Sequence, residues 1–96
     1  MDLQTALRLL KVARPDLERR FGVVELVLFG SVARDDADEN SDVDILVKFD
    51  GPATSARYFG VQFHLEDCLG SPVDLVTDTA LRPELRTFVE QDAVRV

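Results

Sequence analysis

Residues 28–34 read Leu28-Phe29-Gly30-Ser31-Val32-Ala33-Arg34, and residues 41–47 read Ser41-Asp42-Val43-Asp44-Ile45-Leu46-Val47. The first stretch closes an apolar, β-rich run that starts at Val23, so 23–29 is expected to be a buried strand, broken sharply by Gly30-Ser31. The second stretch opens another strand over 42–49. Side chains alternate across a strand, which puts Asp42 and Asp44 on one face and leaves Val43, Ile45, Val47 and Phe49 to fill a core on the other. Two carboxylates so placed raise each other's pKa unless a cation lies between them, and hard oxygen donors select Mg²⁺, Mn²⁺ or Ca²⁺. Gly30 has no Cβ, so its backbone can come close to an anion. A helical turn starting there would aim free N–H groups at that anion, and the Ser31 hydroxyl adds a donor.

A third acid, Asp74, interrupts the apolar run Val73-Asp74-Leu75-Val76. A bare carboxylate among apolar neighbours is costly unless it is paired or bound to metal. If the strand at 73–77 neighbours the one at 42–49, three carboxylates converge beside a phosphate cradle, the parts of a two-metal phosphoryl-transfer site.

The rest of the chain supplies the scaffold. Leu3, Ala6, Leu7, Leu10 and Ala13 recur at helical spacing and predict a helix ending before Pro15, followed by a short helix at 15–21 closed by Gly22. A helical turn is expected at 31–35, a polar loop at 35–41 and a turn at Gly51-Pro52. Residues 55–69 read as a helix with Tyr58, Val61, Leu65, Cys68 and Leu69 on one arc, widened by Phe59 and Phe63 and ended by Gly70. A last helix runs from Pro83 to about Asp92, with a short edge strand at 93–96. The expected architecture is α+β: one domain, 1–96, with a mixed sheet of three to four strands packed with helices.

The 96 residues carry 18 acids against 11 bases, a net charge of −7, which disfavours direct contact with nucleic acid and suits a basic protein partner. No apolar run is long enough to cross a membrane, and the N-terminus does not read as a signal peptide. Cys68 is the only cysteine, so no internal disulfide forms, in keeping with a cytoplasmic location.

Gly30-Ser31, ten intervening residues and then Asp42-x-Asp44, with Asp74 on a later strand, resembles the signature of the DNA polymerase beta-like nucleotidyltransferase superfamily. The wider pattern, through Pro72-Val73-Asp74-Leu75-Val76 to Ala93-Val94-Arg95-Val96, is similar to the minimal nucleotidyltransferase (MNT) antitoxins of HEPN/MNT toxin–antitoxin pairs. Many of those relatives have a basic residue after Gly-Ser and a Gly after the Arg, where this chain has Val32 and Asp35. The resemblance implies the polymerase beta-like fold. It also implies two Mg²⁺ ions on Asp42, Asp44 and Asp74, the β- and γ-phosphates of ATP on Gly30-Ser31, and phosphate charge neutralised by Arg34. It further implies transfer of AMP to a tyrosine of a partner HEPN ribonuclease toxin. Two other readings stay open: an antitoxin that neutralises by binding alone, and a transferase for a small hydroxylated acceptor such as an aminoglycoside.

Plainer readings apply elsewhere. Asp35, Asp36, Asp38 and Glu39 read as solvated loop acids, and Arg34 either serves phosphate or pairs with these neighbours. Asp36, Asp38, Asn40 and Asp42 alternate like a calcium loop, but Ser41 and Val47 stand where such a loop needs Gly and Glu. His64 reads as a partly buried helix residue and Cys68 as core. Tyr58, Phe59 and Phe63 read as core or partner-facing.

Overall fold

The computed structural model describes residues 1–96. Chain order is α1 (Leu3–Phe21), β1 (Val23–Phe29), α2 (Gly30–Ala33), β2 (Val43–Phe49), α3 (Ser55–Leu69), β3 (Val73–Thr77), α4 (Pro83–Asp92) and β4 (Val94–Arg95). The strands form one mixed sheet in the order β3-β2-β1-β4. β1 runs antiparallel to β2 and β4, and β2 runs parallel to β3 through the crossover helix α3. The α+β expectation holds.

Alternation along the strands divides the sheet into two faces. Leu26, Leu28, Val43, Ile45, Val47, Phe49, Val73 and Leu75 point to one face and join α1 and α3 in a core of 17 buried residues. The opposite face carries Asp44, Leu46 and Asp74 and is partly roofed by α4, whose Val89 is buried. Both faces must be ordered for the site to exist, because the carboxylates sit on the back of the strands that build the core.

Two expectations change. The break at Pro15 does not occur: α1 is one helix of 19 residues with Pro15 inside it. Proline removes a single intrahelical hydrogen bond, and the apolar stripe Ala6, Leu10, Ala13 and Leu17 continues across it, all four buried. Burial on both sides of Pro15 outweighs the one lost bond. Cys68 is exposed rather than core, because the buried stripe of α3 is Val61, Leu65 and Leu69, and Cys68 lies just off it. Phe59 and Phe63 also stay outside the core, 50% and 62% exposed and stacked on each other at 6.3 Å.

The two departures from the family pattern have structural explanations. Val32 is buried in the core, where an apolar side chain packs and a basic one would be desolvated. Asp35 adopts φ 61°, the left-handed conformation that glycine occupies freely. Its carboxylate compensates by accepting a hydrogen bond from the Leu3 N–H at 3.1 Å, in the first turn of α1.

Candidate functional site

β1 delivers the chain to Gly30, where a φ of 74° turns it out of the sheet and into the four-residue α2. Phe29, the last residue of β1, is the register partner of Asp44 on β2, which brings the bend directly over that carboxylate. A Cβ at Gly30 would lie 2.9 Å from Asp44 Cγ, so any larger residue would displace that carboxylate. Ser31 follows, half-buried in the first turn of α2.

Asp44 pairs in parallel register with Asp74 on β3. Cross-strand partners share a face, so the two carboxylates meet on the side of the sheet away from the core. Asp42 stands one residue before β2, exposed, and its charge also reaches Asp44. The Asp44 carboxyl is pushed up to about 6, first by burial and then by the neighbouring Asp74 charge, a side-chain hydrogen bond with Asp74 and the Asp42 charge, with Arg34 opposing them. A carboxyl raised this far reflects uncompensated negative charge, an arrangement common in functional sites.

This donor set fits a divalent cation chemically: hard oxygens on adjacent strands, crowded enough to hold a proton where a cation would relieve them. No three of the chain's His, Cys, Asp and Glu side chains close into a preformed chelate: Asp44 and Asp74 are brought together, and Asp42 stays at the exposed rim.

Arg34 caps the C-terminal end of α2 and is already engaged. It donates to Asp92 on α4 at 2.8 Å and to Asp36 in the loop at 3.2 Å, and these bonds hold its guanidinium still more firmly protonated than usual. The pairing reading of Arg34 is therefore realised in this structure. The bond to Asp92 also links the end of α2 to α4.

Between α4 and the sheet lies a cavity of about 430 Å³ lined by Phe29, Gly30, Arg34, Asp74, Val76, Leu81, Arg82, Leu85, Phe88, Val89 and Asp92, among others. It opens beside Asp74 and is mostly apolar. The reading of the residues alone missed α4's part in this cleft. Its signal was present in Leu85, Phe88 and Val89 at i, i+3, i+4, an apolar stripe on a helix too short to need a core of its own.

Comparison with known proteins agrees with this geometry. Residues 10–96 match the family model described as "Nucleotidyltransferase domain". The protein adenylyltransferase MntA of Thermococcus cleftensis is 38% identical over 88 residues, 92% of this chain and 89% of its own. A solved structure assigned as a minimal nucleotidyltransferase superposes with a TM-score of 0.83 at 41% identity, covering 100% of this chain and 97% of that one. The fold is shared, at 21% identity and a TM-score of 0.66, with a chain from the complex of tri-AMPylated Shewanella oneidensis HEPN toxin with its MNT antitoxin, over 99% of this chain and 71% of that one. A glycine bend pressed onto paired strand carboxylates, together with these matches along nearly the whole chain, places the protein in the nucleotidyltransferase domain family, as an enzyme of its minimal, protein adenylyltransferase branch.

Proposed function

We propose that this enzyme transfers AMP from ATP to a tyrosine of a HEPN-type toxin and so acts as the antitoxin of that partner. The observation that carries the reading is the register pairing of Asp44 with Asp74 beneath Gly30. Asp42, Asp44 and Asp74 would hold Mg²⁺. When bound, Mg²⁺ supplies positive charge that offsets the charge developing on the attacking and leaving oxygens.

The chain's own residues do the rest. Gly30 and Ser31 present backbone N–H groups and a hydroxyl to the β- and γ-phosphates. The apolar cleft under α4 receives the nucleoside, with Phe29 and Phe88 on its walls. Arg34 leaves Asp92 and Asp36 to meet phosphate charge. The tyrosine oxygen attacks the α-phosphorus, the bond to the β-phosphate oxygen breaks, pyrophosphate departs and the tyrosine proton passes to the Asp74 carboxylate. Two features support a protein acceptor. The chain has one small core and spends its single large cleft on the nucleotide, leaving the acceptor to bring its own recognition surface. The named function of the Thermococcus cleftensis relative and the AMPylated toxin in the Shewanella oneidensis complex point the same way.

Co-expression with the HEPN partner followed by mass spectrometry of that partner tests the reading. AMP on a partner tyrosine is expected with the wild-type chain and not with Asp44→Asn. An unmodified but neutralised partner would overturn it.

A further inference from the structure

β3 is a five-residue strand at the edge of the sheet, yet it carries Asp74. Its even-numbered positions face β2: Val43 N–H donates to Pro72 C=O at 3.0 Å, and Asp78 N–H donates to Val47 C=O at 3.2 Å. The backbone groups of Val73 and Leu75 therefore point to the open edge, where a short strand would meet water and fray. Three of these four groups are taken up by one helix. Tyr58 Oη donates to Leu75 C=O at 2.6 Å, Gln62 Nε2 donates to Val73 C=O at 3.3 Å, and Val73 N–H donates to the Glu66 carboxylate at 3.0 Å. Positions 58, 62 and 66 are four apart, a straight row along α3.

These bonds bracket Asp74: the residues clamped are the one before it and the one after it. We infer that Tyr58, Gln62 and Glu66 form a side-chain clamp that positions Asp74 against Asp44, with α3 serving the reaction through the far edge of β3. The clamp touches neither nucleotide nor acceptor, so its members are positioning residues. The inference rests on the reading of Asp74 as a metal ligand, and the experiment separates the two.

Tyr58→Phe deletes one hydroxyl and keeps the ring. Glu66→Ala removes the acceptor for Val73 N–H, and Glu66→Gln keeps a neutral one. The readouts are backbone amide exchange at Asp74 and the Mg²⁺ concentration giving half-maximal thermal stabilisation of the purified chain. Loss of one such bond predicts about three- to tenfold faster exchange at Asp74 and a similar rise in half-saturating Mg²⁺ for Tyr58→Phe and Glu66→Ala. Glu66→Gln is expected to restore both. Folded Tyr58→Phe and Glu66→Ala proteins with unchanged exchange at Asp74 would overturn the clamp. A wild-type chain that shows no response to Mg²⁺ would instead contradict the metal reading, and the exchange measurement would still decide the clamp.

Discussion

Asp44 and Asp74 are register partners across the parallel strands β2 and β3, and Gly30 lies so close above Asp44 that a methyl group there would strike its carboxylate. The glycine bend thus closes over one of two like charges that the strand register holds side by side. Charge crowding of this kind costs stability and is retained for what it can bind.

The first prediction concerns pH. The Asp44 carboxyl is raised from 3.8 to about 6, so the folded state keeps a proton that the unfolded chain releases. Below 3.8 both states hold the proton and nothing is lost. Between 3.8 and about 6 the metal-free fold loses stability as pH rises, and above about 6 the full penalty applies. Asp44 is partly exposed, so the penalty is discounted to roughly 1 kcal/mol. Asp44→Asn is expected to melt about 4–8 °C higher than wild type at pH 8 without Mg²⁺, and no higher at pH 3.5. Thermal melts across that range check it.

Gly30→Ala places a Cβ at a positive φ and against Asp44. The left-handed conformation alone costs about 1–2 kcal/mol. Displacing the carboxylate is expected to lower kcat about a hundredfold, well beyond what lost stability explains. Steady-state rates at a temperature where the variant is folded test this.

Arg34 and Asp92 make an exposed ion pair, so Arg34→Ala is expected to cost under about 1 kcal/mol of stability. If Arg34 exchanges Asp92 for phosphate, Arg34→Ala raises the KM for ATP about tenfold, and Asp92→Asn lowers it by releasing the guanidinium. Opposite signs in the two variants are the diagnostic result.

Phe88 is 66% exposed on α4 and lines the cleft. Phe88→Ala therefore leaves stability nearly unchanged. A stacked base contributes about 1–3 kcal/mol, so nucleotide affinity is expected to fall at least fivefold, as read by titration calorimetry with a non-hydrolysable ATP analogue.

Much of this was legible from residues 23–49 and 73–77, where local alternation and a glycine break carry the information. Strand 23–29, helix 55–69, strand 73–77 and helix 83–92 fall where their patterns place them. What escaped was set by contacts between distant segments. The continuity of α1 through Pro15 depends on Leu17 finding the core. Exposure of Cys68 depends on which three residues of α3 meet the sheet. Arg34 reaches a partner 58 residues away, and no local spacing announces it. Tyr58 reads locally as part of an apolar arc, and its row with Gln62 and Glu66 gains a purpose only once β3 is known to be an edge.

The proposed reaction has Asp42, Asp44 and Asp74 directing Mg²⁺-dependent attack on the α-phosphorus of ATP. Incubating the chain and its HEPN partner with ATP labelled at either the α- or the γ-phosphate tests it most directly. Labelled partner is expected from α-labelled ATP alone, abolished by EDTA and in Asp44→Asn. Label arriving from γ-labelled ATP, or persisting undiminished in Asp44→Asn, would contradict it.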